Sequence, residues 1–170
     1  MIDETRVKEV TIGKSTITVK VEKPQGEDSE FVDEDTLACP NRPNDEFAQA
    51  FAGLIEPFCE IYQVAAKWGQ DATVTSLKIK HHKDDEQTAI IGVIRQFAKT
   101  GTEKKGIKTP AFVFVGEDLQ CKSASAGLIA DAVAQAMRYY SGDRRDMFLS
   151  GKEPTTKGKD DPDQTTIPGT

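Results

Sequence analysis

Histidine is scarce in this chain, and its scarcity excludes a good deal. Only two of the 170 residues are histidine, and they are neighbours, His81 and His82. In a strand, successive side chains point to opposite faces, so this pair cannot close on one metal ion. The three cysteines, Cys39, Cys59 and Cys121, are scattered, with no C-x-x-C spacing. That removes the usual ligand sets of a zinc site and any disulfide framework. It fits reduced thiols instead. No apolar run approaches the ~20 residues that a membrane helix needs. The G-x-S-x-G elbow and the dinucleotide fingerprint are both missing. Acids are plentiful, but the dense runs fall in turns and connections, without the convergence a metal-dependent nuclease requires. The sequence therefore assigns no catalytic residue, metal or cofactor, and the expectation is a protein that is not an enzyme.

What is present is the composition of an ordinary globular domain. Residues 1–150 are read as one domain with enough chain for a proper core. The opening "MIDETRVKEV" has no apolar signal region, so the expected location is cytoplasmic, in the host cytoplasm if the protein is viral. The formal net charge is −6. It argues against a protein that coats nucleic acid with its whole surface.

Residues 6–23 alternate Ile17, Val19 and Val21 with Thr18 and Lys20, the period of a half-buried hairpin strand. Residues 24–43 contain "GEDSEFVDED" and are expected to be an acidic loop. Residues 44–68 predict a helix, capped by Asn44 or Asp45. Phe47, Phe51, Leu54, Ile55, Phe58, Ile61 and Tyr62 fall on one stripe. Pro57 predicts a kink or break, and Gly69 a C-cap. Residues 73–97 predict a second hairpin, with Leu77 opposite Val93, Ile79 opposite Ile91 and a turn at Asp84–Glu86. Residues 98–110 read as a basic loop and 111–115 as a short strand. Residues 123–140 read as a second helix, with Leu128, Ala132, Val133, Ala136 and Tyr140 inward. Residues 143–149 are expected to add a turn of helix. Residues 151–170, nearly all Pro, Gly, Thr and charge, read as a disordered polar tail.

The order β-β-α-β-β-β-α implies an α+β fold, a mainly antiparallel sheet with two helices on one face. "AGLI" occurs at Ala52–Ile55 and again at Ala126–Ile129, a hint that a hairpin-plus-helix unit is duplicated.

One charge asymmetry points toward function. "GTEKKGIKT", Gly101 to Thr109, has the glycine separation of a phosphate-binding loop. Ile107 breaks the register, and Pro110 followed by a β-type run leaves no helix to receive the phosphate. The segment is locally basic all the same. Lys78, Lys80, Lys83, Arg95, Lys99, Lys104, Lys105 and Lys108 form a candidate DNA-binding set, with single-stranded DNA favoured. Ile90 and Ile94 share the strand face of Lys78 and Lys80, so that face is also a candidate for homo-oligomer contact. An alternative uses Glu27, Asp28, Glu30, Asp33, Glu34 and Asp35 as an acidic surface for a basic host or phage protein. A third reading is an oligomeric small-ligand sequestering protein. "RYYSGDRR", Arg138 to Arg145, is read as helix-end packing more than as a base-stacking site.

The stretch Val74 to Phe97, with Ile91-Gly92 in its hairpin, followed by Thr109-Pro110, resembles small uncharacterised proteins of bacteriophage early regions. The resemblance covers less than a third of the chain and is one of fold. It transfers no catalytic residue. It implies a non-catalytic accessory role in recombination or replication, or against host defences.

Overall fold

A computed structural model describes residues 5–25, 31–96 and 104–149. The strands are β1 (Arg6–Ile12), β2 (Ile17–Gln25), β3 (Phe31–Cys39), β4 (Asn41–Pro43), β5 (Ala72–His81), β6 (Gln87–Gln96), β7 (Lys104–Lys108), β8 (Phe112–Val115) and β9 (Arg144–Phe148). The helices are α1 (Asp45–Ala52), α2 (Ile55–Tyr62) and α3 (Ser123–Tyr140). The main sheet runs β3-β2-β1-β5-β6-β7, and β8 also pairs with β6. Every pairing in it is antiparallel. The class is α+β, with helices packed on one face of an antiparallel sheet.

Alternation creates that face. Val10, Val19, Leu77, Ile79, Ile91 and Val93 point inward and are buried. Phe47, Phe51, Leu54 and Phe58 of the helices close over them. Each such aliphatic or aromatic burial contributes roughly 1.5–3 kcal/mol. Cys39 and Cys59 belong to this core and are free thiols.

The segment 24–43 is not an acidic loop where it is described. Phe31–Cys39 pairs with β2 in unbroken register, Ile17 opposite Cys39 through Gln25 opposite Phe31. Leu37 and Cys39 supply the inward positions, and an edge strand tolerates the acids between its ends. β2 continues past Lys23 through Pro24 to Gln25.

The first long helix breaks, but not at Pro57. α1 ends at Ala52 and α2 begins at Ile55. Pro57 stands in the first turn of α2, where an N–H would have no partner anyway. Its ring clashes with the carbonyl four residues back, which is Gly53, so the distortion falls one turn upstream. The helix ends at Gln63 in the left-handed region, φ 56°. Gly69 instead lies in a 3₁₀ turn, Ala66–Asp71.

The β5–β6 hairpin pairs Leu77 with Ile91 and Ile79 with Ala89. This is two residues away from the expected register. A two-residue slip keeps every side chain on its face, whereas a one-residue slip would reverse them. The cause is a turn over residues 82–86, in which Asp84 and Asp85 have φ of 61° and 60°; a bulge at Thr75 shifts the register once more beyond Ser76.

Residues 144–148 form a strand, not a turn of helix. β9 pairs with β4, and the Asn41 side-chain amide donates to the Arg145 carbonyl at 2.8 Å. The inward stripe of α3 is Ser125, Ile129, Ala132, Ala136 and Tyr139. Ala132 and Ala136 are as expected, Val133 and Tyr140 are partly buried, and Ile129 and Tyr139 take the buried places expected of Leu128 and Tyr140. The Tyr139 hydroxyl donates to the Asn41 carbonyl at 2.6 Å. Burial raises the Tyr139 pKa far above the ordinary phenol value. The "RYYSGDRR" cluster packs as expected. Arg144 donates to the Tyr139 carbonyl at 2.8 Å and lies over its ring, and Arg138 pairs with Asp143 at 2.5 Å.

Candidate nucleic-acid interface

The helices cover only one face of the sheet, so the side chains on the other face decide what the open surface offers. On β3, β2 and β1 the charges of that face pair with one another. Arg6 bridges Glu22 at 2.8 Å, Lys20 lies 3.7 Å from Glu9, and Lys8 bonds Glu34. Hydrogen bonding to Lys8 lowers the Glu34 pKa below the usual carboxylate range and raises that of Lys8.

The β5-β6-β7 half is different. Strand register places Lys78 beside Ile90, Lys80 beside Thr88, Ile94 beside Gly106 and Lys108 beside Gly92. All four positions are on the open face. The stem of Lys108 lies across Gly92, with its Cγ 3.5 Å from where a Cβ would stand, next to Ser76. Lys104 shares the parity of Lys108 and joins the same face. Lys78, Lys80, Lys104 and Lys108 are exposed. Among the described residues none of these four enters an ion pair. Glu9, already shared with Lys20, borders the patch opposite Lys78. Lys78 and Lys80 are about 6.7 Å apart along the strand, and β5 to β7 spans about 9.6 Å.

The other expected members do not join them. Arg95 has the inward parity of Ile91 and Val93. It donates to the Trp68 carbonyl at 3.1 Å, its guanidinium sits 4.6 Å over the Trp68 ring, and Asp71 lies 4.0 Å away. It ties the 3₁₀ turn to the sheet. Lys105 is opposite Arg95, on the same inward parity. Lys83 is at the hairpin tip beside Asp84 and Asp85, away from the other lysines of the set. Lys99 lies outside the described residues. The parity of Arg95 was readable in the sequence. That of Lys105 was not, because a loop has no parity.

The acidic set divides as well. Glu27, Asp28 and Glu30 lie outside the described residues. Asp33, Glu34 and Asp35 are exposed on edge strand β3. Asp35 accepts a hydrogen bond from the Tyr140 hydroxyl, which lowers its pKa.

The opening histidines separate onto opposite faces. His82 is 3.0 Å from the Thr88 hydroxyl on the open side. His81 is half-buried on the helix side, and its Nε2 has no hydrogen-bond partner among the described residues. Burial, and then Arg6, lower its pKa. Among the described residues no three His, Cys, Asp or Glu side chains converge to hold a metal ion, and no helix is long and apolar enough to cross a membrane.

Sequence reasoning missed Ser76, Thr88 and Gly92, the small residues that leave the lysine patch open. Their parity with Lys78 and Ile90 was the available signal. No protein-family model matches the chain, no curated protein is significantly similar to it, and no solved structure matches its fold at a significant level.

Proposed function

We propose that the protein is a non-catalytic accessory protein that binds the phosphate backbone of DNA, with single strands favoured, on the open face of β5, β6 and β7. The observation that carries this reading is the division of that face. Its β3-β2-β1 half neutralises its own charges, while its β5-β6-β7 half presents four lysines without ion pairs among the described residues, in a protein of net charge −6. Unpaired lysines around a shallow, small-residue floor suit phosphates. Phe, Tyr and Trp are absent from the strand positions of this patch, so stacking on bases is not part of the reading. Binding is then weakly selective and strongly dependent on salt.

The acidic-surface alternative has less support, because two of its three described acids already serve Lys8 and Tyr140. The phage resemblance adds a setting, in recombination or replication, and no chemistry.

Fluorescence anisotropy with labelled single- and double-stranded oligonucleotides tests the reading. Four phosphate contacts imply a loss of affinity of roughly 50-fold (single strands) to 150-fold (duplex) between about 50 and about 200 mM salt. Lys78→Glu with Lys80→Glu abolishes binding without unfolding the chain. Binding that is unchanged in this variant, or no binding at low salt, would sink the proposal.

A further inference from the structure

Among the described residues, the outermost strands of the main sheet path carry charges of opposite sign; Lys8 offsets Glu34, while the Tyr140 hydroxyl leaves the Asp35 charge in place. Asp33, Glu34 and Asp35 lie on β3 at one edge, and Lys104, Lys105 and Lys108 on β7 at the other. From this and the strand directions we infer that copies of this chain associate head to tail, the β7 edge of one adding to the β3 edge of the next.

Direction supports the pairing. Six strands lie on the path from β3 to β7, each antiparallel to its neighbour. An even number leaves β3 and β7 running oppositely. A second copy shifted sideways within the sheet therefore meets the first in antiparallel register, with its helices on the same side. No rotation or refolding is needed.

Backbone groups are available for it. The Thr109 N–H donates to the Ile91 carbonyl at 2.9 Å, so that residue faces β6. Successive residues alternate in direction, so Lys104, Gly106 and Lys108 turn their N–H and C=O groups outward. The Tyr62 hydroxyl takes the Lys108 carbonyl. Lys104 and Gly106 remain.

Charge selects this pairing over the symmetric ones. A two-fold contact through β7 sets lysines against lysines, and one through β3 sets acids against acids. Like charges directly opposite destabilise a strand pair. Face-to-face contact through Ile90 and Ile94 would oppose Lys78 and Lys80 to their own copies. In the head-to-tail contact, any register that preserves the faces brings Lys104 and Lys108 to the side of Glu34. It brings Lys105 and Ile107 to the side of Asp33, Asp35 and Leu37. Charged edges commonly prevent pairing, but that device works when the two edges share a sign, and these do not. The contact is heterologous, so it repeats. Sheet twist accumulates from copy to copy, which makes the assembly open-ended and helical. Five residues of β7 make a small contact, so association depends on concentration and is screened by salt.

Sedimentation velocity on the full chain tests this with two charge-reversed variants, Asp33→Lys with Glu34→Lys, and Lys104→Glu with Lys105→Glu. The expected result has three parts. The wild type sediments faster as concentration rises at low salt and not at high salt. Each variant alone stays monomeric. Their equimolar mixture regains association, because reversed β3 edges then meet reversed β7 edges and the native pair also forms. Circular dichroism confirms that both variants are folded. A wild type that stays monomeric throughout the low-salt series would overturn the inference. So would variants that associate like the wild type, or folded variants whose mixture stays monomeric. The DNA-binding reading is tested separately, on Lys78 and Lys80, which lie two strands in from the β7 edge, whereas Lys104 and Lys108 belong to both surfaces.

Discussion

Thr109 shows how one side chain can repair a sheet. β7 and β8 both pair with β6, and the chain steps from one to the other at Thr109-Pro110. The step would leave the Ile91 N–H unpaired in the core. The Thr109 hydroxyl accepts that N–H at 3.0 Å, and Thr109 is 4 % exposed. Thr109→Val keeps the shape and strands the donor, so it should cost about 1–3 kcal/mol in urea denaturation, with Thr109→Ser recovering most of the loss. His81 is a second residue with a defined consequence. Its pKa in the fold lies below the ordinary 6.5, so in the window between the two values the unfolded chain binds more protons than the folded one. The neutral ring contributes fully above pH 6.5, and that contribution is lost as pH falls from 6.5 through the folded value. Denaturation midpoints measured across this window should fall for the wild type and show a flatter profile for His81→Leu.

At the scale of elements, tight approach decides more than propensity. The 3₁₀ turn Ala66–Asp71 sits on α2 through Gly69, where a Cβ would overlap the Ile55 side chain, and Trp68 stacks on Phe58 at 5.4 Å between ring centres. Arg95 clamps the same turn from β6. Gly69→Ala should destabilise the fold by roughly 1–3 kcal/mol through overpacking, seen as a lower thermal midpoint. It should leave DNA affinity unchanged, because the turn lies on the covered side of the sheet. The "AGLI" tetrapeptide makes a related point. In α3 it lies inside an unbroken helix, whereas Ala52–Ile55 spans the break between α1 and α2. The following Pro57 makes the difference, so identical residues occupy unlike structures.

Across the whole molecule, arrangement of charge outweighs its sum. A net charge of −6 opposes DNA at long range, yet Asp33, Glu34 and Asp35 lie on β3, while the four lysines that make no ion pair among the described residues lie on β5 and β7. The sheet is laid out symmetrically about its middle. β1 and β5 pair at the centre, and each continues outward through two more strands, β2 and β3 on one side and β6 and β7 on the other. Each half is followed by helix. This layout has three strands in each half, where the sequence hinted at a two-stranded hairpin unit. It also places β3 and β7 at equivalent ends with opposite signs, which is why the two proposals can be tested on separate residues.

The sequence by itself determined the elements with strong periodicity. Two hairpins, the Phe47–Phe58 stripe, α3 and the α+β class all follow from spacing, because alternation and 3.6-residue periods report directly on one buried face. It also showed that basic and acidic residues segregate along the chain. Only the tertiary structure decided the edge strands. β3, β7 and β9 are polar, and their order comes from pairing with a neighbour rather than from burial of their own side chains, so no local pattern announces them. The same holds for the lysine patch. Parity along one strand can be read from sequence, but which strands lie side by side is fixed by backbone pairing between distant segments. That pairing turned eight basic residues in one stretch into four on an open face, two behind it, one at a hairpin tip and one, Lys99, outside the described residues.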